Sequence, residues 1–265
     1  MAQGEIVPRP SPFDGLPENC ISNIISFTTP RDACFAASVS KAFESAVQSD
    51  SVWEKFLPLD YSSLVPESRV FLSKKELCFS LCRVPLLIEG GKKSFWLDKT
   101  SGEKCIMLSP KGMVISWVNS PQFEEVPELL YDSWFEVCGR LSTKYLSPRT
   151  RYSVYIVFKT NDLYPGVTLE PFPRFVRFVG PTDLKYEREY VTRPEKREDK
   201  WMEAELGEFF NETSCGDVEV SVIDENSYWK SGLVIQGIEF RPTKKHQVKK
   251  KNCIVNILRF FYCNV

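Results

Sequence analysis

Along residues 12 to 57 apolar side chains recur at helical spacing. In "LPENCISNIISF" Leu16, Cys20, Ile21, Ile24 and Ile25 fall along one stripe, and Pro17 suits a first helical turn. "TTPRDACFAASVSKAFESAVQSDSVWEKFLP" continues as two or three short helices. Thr29 is placed to cap the one opening at Pro30, and Ser49 or Asp50 the one carrying Trp53. Residues 58 to 83 connect onward through one more helical stretch, "SKKELCFSLCR". Its Ser73, with Glu76 three residues later, is a capping-box pattern.

From residue 84 the period changes to two. "KSFWLDKTSGEKCIMLS" reads as a hairpin around Thr100-Ser101-Gly102. In "RYSVYIVFK" Tyr152, Val154, Ile156 and Phe158 line one strand face, and Ser153, Tyr155 and Val157 the other. "RFVRFVG", "KWMEAEL", "DVEVSVID" and "SGLVIQGIEFR" add strands between Pro, Gly and Asn signals. Many short strands with little helix between them predict an antiparallel sandwich. Trp134 and Trp201 sit in strand-like apolar runs and are expected in the core, whereas Trp96 and Trp229 lie near turns. "VTRPEKREDK", 191 to 200, reads as a solvated charged loop. The last stretch, 243 to 265, joins a basic run to an apolar one too short to span a bilayer. Its Lys249 to Lys251 are either a solvated turn or a weak nuclear-import patch.

Composition narrows the function classes. The chain is 43% apolar and 26% charged, enough to fill a core. A formal net charge of -1 favours neither nucleic acid nor an anionic membrane, and neither is expected as a partner. "MAQGEIVPRPSPFDG" has no apolar h-region, so no secretory signal is read there. Nine cysteines, an odd number without such a signal, point to a reducing compartment, the nucleus or cytoplasm. Catalysis finds little support. The one histidine, His246, has no nucleophile near it in sequence, and Cys78 with Cys82 lacks a second pair at zinc spacing. "GLVIQG" is no phosphate loop, and Glu124-Glu125 and Glu187 to Glu189 read as charged surface runs. No enzyme activity, metal or cofactor is expected.

The helical part resembles an F-box. The resemblance rests on Leu16-Pro17, then Ile21, Ile24 and Ile25, then Pro30-Arg31-Asp32, then "VSKAF" (Val39 to Phe43), then Trp53, and covers residues 12 to 57. Fewer than about 50 residues bury little surface alone, and such a unit gains by docking another helical protein. Leu16, Ile21, Ile24 and Phe43 are expected on accessible faces. The resemblance implies docking to the Skp-type adaptor of a cullin-based ubiquitin ligase, with Leu16, Pro17, Ile21, Ile24, Val39, Phe43 and Trp53 forming that surface or its support. The competing reading is that these residues only pack against the β part.

The β part resembles the phloem lectin family, that of phloem protein 2. The matching stretches are "SFWLDKTSGEKCIMLS", "ISWVNSPQF", "WFEVCGRLSTKYLSPRTRYSVYIVFK", "WMEAELGEFFN" and "YWKSGLVIQGIEFRP". Together the two resemblances imply a multidomain α plus all-β chain: an F-box at 12–57, a helical connector at 58–83, a jelly-roll-like lectin sandwich at 84–242 and an atypical tail at 243–265. They also imply a non-catalytic, substrate-recognition subunit of a Skp-cullin-F-box ligase. Its sandwich would hold a target protein, glycosylated or not, close to the conjugating enzyme. Some relatives bind N-acetylglucosamine- or galactose-containing glycans, one tryptophan of the site standing at the position of Trp117. Asn119 and Gln122 are the candidate hydroxyl partners beside Trp117 here. The second tryptophan of those relatives, in a Pro-x-Tyr-Trp segment, is replaced by Pro121-Gln122-Phe123-Glu124, and the loop is shorter. Two alternatives therefore stand beside the adaptor: a lectin without ligase assembly, and a protein-binding sandwich that has lost sugar binding.

Overall fold

Thr29 Oγ1 accepts a hydrogen bond from the Asp32 backbone N–H at 3.1 Å, the cap expected of it. The computed structural model describes residues 15–66, 69–117, 128–129, 135–160, 175–179, 185–188, 194–213, 215–224 and 232–243. Among these, six α-helices run in order: α1 (Glu18–Ser26), α2 (Pro30–Ala36), α3 (Lys41–Gln48), α4 (Asp50–Phe56), α5 (Tyr61–Leu64) and α6 (Lys74–Arg83). The Ser40 hydroxyl caps α3 by accepting from Phe43 N–H at 3.4 Å. Ser49 stands at the cap position of α4, but its hydroxyl pairs with Ser51 instead. At α6 the Ser73 hydroxyl accepts from Glu76 N–H, and the Glu76 carboxylate reaches back to Leu72 N–H. The reciprocal box is thus shifted by one residue.

Among the described residues, contacts divide the chain into a helical unit, 15–80 with 99–102, and a sheet unit, 81–98 with 103–243. The core of the helical unit is built from Ile21 and Ile25 of α1, Ala33 and Ala36 of α2, Phe43, Ala46 and Val47 of α3, and Val52 and Trp53 of α4. Trp53 sits at its centre. The indole N–H donates to Val47 O at 2.6 Å, and its ring meets Phe56 edge-on at 5.6 Å and Phe79 at 5.1 Å.

The sheet unit holds β1 (Leu86–Ile88), β2 (Lys93–Leu97), β3 (Lys104–Leu108), β4 (Met113–Trp117), β5 (Glu128–Leu129), β6 (Phe135–Ser142), β7 (Thr150–Thr160), β8 (Phe175–Val179), β9 (Lys185–Arg188), β10 (Glu195–Lys196), β11 (Met202–Asn211), β12 (Asp217–Asp224) and β13 (Leu233–Pro242). They form two antiparallel sheets. One runs β1-β2-β3-β13-β7-β11-β10, with β5 also on β13, and the other β4-β6-β12-β8-β9. The β2–β3 hairpin turns at 100–102, where Gly102 takes the left-handed conformation (φ 78°) such a turn requires. Tyr152, Val154, Ile156 and Phe158 of β7 share one buried face, as their alternation predicts. Gly139 of β6 lies where any Cβ would stand 2.9 Å from Ile238 Cδ1 and 3.0 Å from Leu108 Cδ1. The two sheets therefore pack face to face there, as a sandwich. A buried polar belt closes one end: the Tyr152 hydroxyl donates to Lys104 O at 2.9 Å and accepts from Ser147 N–H at 2.8 Å, and Asn211 Nδ2 donates to Ser147 O.

On the second face of β7 Ser153 and Val157 are buried as well. One expectation is corrected. Of the run 191–200, the described part 194–200 is not simply a solvated loop, because Glu195 and Lys196 pair with β11 and Arg197 enters an ion-pair cluster with the buried Glu239.

Candidate functional site

Helix α1 is only nine residues long, so its turns put different chemistry on different flanks. Ile21 and Ile25 point into the helical core. One flank, with Glu18, Asn19, Ser22, Asn23 and Ser26, lines a polar groove of about 280 Å³ with Ser49, Ser51 and Lys55. On the remaining flank Ile24 stays 46% exposed, and Phe27, three residues on, is 82% exposed. Leu16 before the helix, Phe35 of α2 and Val39 of the following turn are exposed too. The Arg31 guanidinium lies 5.5 Å over the Phe35 ring and favours one orientation for it.

The sequence-predicted adaptor residues thus divide into two groups. Leu16, Pro17, Ile24 and Val39 are exposed, and Pro17 also accepts backbone bonds from Cys20 and Ile21 at the start of α1. Ile21, expected on an accessible face, is 1% exposed, and Phe43 is likewise buried. Both join Ile25, Ala46 and Val47 in the packed interior of the helical unit. Trp53 is core as well. Phe27 and Phe35 were missed by the sequence reading, although continuing the α1 stripe past Ser26 reaches Phe27. Leu16, Ile24, Phe27, Phe35 and Val39 thus leave apolar surface facing water on this unit, as do Leu59, Val70 and Leu72.

For the lectin-like residues, the backbone register is what the structure supplies. Trp117 ends β4 and pairs with Phe135 of β6. Position 117 shares its strand face with Met113 and Ile115, which pair with Gly139 and Val137, while Val114 on the other face is exposed. Asn119 and Gln122 lie outside the described residues, as do Trp134 and Trp229. Trp96 is half-buried in β2. Trp201, expected in the core, is half-buried just before β11, with Lys159 Nζ 4.2 Å from its ring centre.

Two titratable groups of the sheet unit are tied up in structure. Burial pushes the Cys105 thiol well up and keeps it protonated, so it is a poor nucleophile. The Tyr145 phenol is held at about 12, first by its bond to the Glu89 carboxylate. Among the described residues no cluster of His, Cys, Asp and Glu could hold a metal ion.

Comparison with known proteins accounts for both units. The family model for the F-box domain matches residues 13–55, and that for Phloem protein 2 matches 103–242. Neither describes a catalytic domain. Among relatives from Arabidopsis thaliana, F-box protein At2g02240 is 59% identical over 268 residues, covering 91% of this chain and 84% of that protein. F-box protein PP2-B10 is 51% identical over 261 residues, with 88% and 95% covered. F-box protein SKIP3 is 51% identical over 263 residues, with 88% and 90% covered. With a helical F-box leading into an antiparallel phloem protein 2 sandwich, this chain belongs to the plant F-box proteins of the phloem protein 2-B type.

Proposed function

We propose that this protein is the substrate-recognition adaptor of a Skp-cullin-F-box ubiquitin ligase. The observation that carries the reading is the helical unit whose interior is already filled by Ile21, Phe43 and Trp53, yet which exposes Leu16, Ile24, Phe27, Phe35 and Val39. Those side chains dock a Skp-type adaptor, and through it a cullin. The name SKIP3, carried by one relative, accords with such a partner. The sandwich holds the target protein, glycosylated or not, and ubiquitin transfer follows from proximity: tethering raises the local concentration of the target's lysines. The chain acts as a recognition subunit, leaving ubiquitin transfer to the rest of the ligase, and it works in the nucleus or cytoplasm.

A pull-down with a purified Skp-type adaptor tests the assembly, comparing wild type with Ile24→Asp/Phe27→Asp. Retention of wild type and loss of the variant support it; failure to retain wild type overturns it and leaves a lectin without ligase assembly. A glycan array run with wild type and Trp117→Ala separates the two kinds of target. A signal abolished by the substitution places a sugar at the end of β4, and no signal in wild type leaves a sandwich that recognises protein.

A further inference from the structure

The outer face of the eight-stranded sheet carries two carboxylates with little access to water. Glu239 of β13 is 3% exposed, and Glu203 of β11 lies across β7 from it. Two guanidinium groups answer them. Arg241, also on β13, bonds Glu203 Oε1 at 2.5 Å and Glu203 Oε2 at 2.8 Å, stacks 3.8 Å over the Tyr155 ring and lies 3.5 Å from Glu239 Oε1. Arg197 comes from the β10–β11 hairpin. Its Nη1 reaches Glu239 Oε2 at 2.5 Å and Glu203 Oε2 at 3.1 Å, with Asp199 Oδ2 3.4 Å from its Nε.

We propose that Glu203 and Glu239 form a guanidinium-binding site on this face, filled in cis by Arg197, and that this contact latches the hairpin 194–201 onto the sheet. Arg241 belongs to the same strand as Glu239 and stays with the sheet whatever the hairpin does. Lifting Arg197 leaves two carboxylates against one guanidinium, with Glu239 desolvated, and an unpaired buried carboxylate is costly. Few other contacts hold the hairpin. Among the described residues it has two register pairs, Glu195 with Glu203 and Lys196 with Met202, and the Trp201–Lys159 contact. Three bonds are internal to the turn: Arg197 N–H to Trp201 O at 2.8 Å, Lys200 N–H to Arg197 O at 3.2 Å and Trp201 N–H to Asp199 Oδ1 at 3.1 Å. Of these only the register pairs and the Lys159 contact tie it to the sheet. Lys200 takes the left-handed conformation (φ 69°), a modest cost for a residue with a Cβ. The Arg197 guanidinium spreads its donors, Nη1 bridging the two carboxylates and Nε facing Asp199, and an arginine of a bound protein competes for the same place. This assignment is independent of adaptor docking.

Hydrogen exchange by mass spectrometry on the full chain tests the latch. Arg197→Ala should speed exchange of amides 195–201 on the order of a hundredfold, leaving β7 and β13 protected. Millimolar N-methylguanidinium should then raise the melting temperature of Arg197→Ala, but not of wild type or of Arg197→Ala/Glu239→Gln. Unchanged exchange in 195–201 overturns the latch, and equal stabilisation of the double variant overturns the site. Should Arg197→Ala fail to fold, Arg197→Lys keeps the charge and loses the fork; exchange about tenfold faster supports the latch, and none overturns it.

Discussion

Truncating Trp53 separates a docking residue from one that only builds the docking unit. The side chain is fully buried, donates to Val47 O at 2.6 Å and packs on Phe56 and Phe79. A buried Trp→Ala change costs about 3–5 kcal/mol through lost contacts and cavity. Leaving Val47 O without its donor belongs to the same penalty and moves the expectation to the upper end, about 5 kcal/mol. A unit spanning 15–80 has roughly 3–10 kcal/mol in total at ordinary stability per residue. Trp53→Ala should therefore unfold the helical unit, whereas Trp53→Phe, which keeps most of the packing and loses the N–H, should cost about 1–3 kcal/mol. Hydrogen exchange of α1 to α4 in the full chain, with urea unfolding followed by far-UV circular dichroism, reads both effects. Adaptor retention should vanish with Trp53→Ala and persist with Trp53→Phe. Phe27→Ala should do the reverse, leaving stability within about 0.5 kcal/mol of wild type and weakening retention. Protected α1–α4 amides in Trp53→Ala, or a folded Trp53→Phe that no longer binds, would refute the division into surface and support.

Further outcomes follow from the sheet unit and the helix caps. Gly237→Ala would place a Cβ 2.2 Å from Leu108 O, a backbone atom that cannot yield, and should lower urea stability by about 3 kcal/mol or more. Tyr152→Phe should cost about 1–3 kcal/mol in the same assay, because Lys104 O and Ser147 N–H lose their buried partner. Burial raises the Tyr152 phenol above its ordinary value, so its contribution is complete below about pH 10 and falls away at higher pH, where the unfolded chain gives up the proton first. Urea titrations from neutral pH to about pH 11 should show a shallower alkaline decline in Tyr152→Phe, with Tyr145 supplying part of what remains. Thr29→Ala should cost about 1 kcal/mol of helical-unit stability, read from the melting temperature.

Local chemistry made much of the architecture legible. The Thr29 cap, the Ser73–Glu76 pattern, the turn at Gly102 and the alternation along β7 each depend on residues a few positions apart, and each is found where expected. The candidate docking face was only half legible. Apolar residues at helical spacing identify a stripe, but a stripe on a short helix serves both the core and a partner. Ile21 and Ile24 are three residues apart on α1, and only packing against α3 and α4 decides that one is buried and the other left in water.

The sequence by itself determined the helical start, the change of period near residue 84 and the order of the two modules, because propensity, capping and periodicity act over one or two turns. Tertiary structure alone decided what the charged run 191–200 does. Arg197 meets Glu239 across 42 positions of chain, and a contact between distant residues leaves no periodic trace in one sequence. A charge among apolar strand residues, as at Glu239, hinted at a partner without naming it. The hairpin that carries Arg197 and the strands that carry Glu203, Glu239 and Arg241 had to be brought together around β7 before those charges became a cluster.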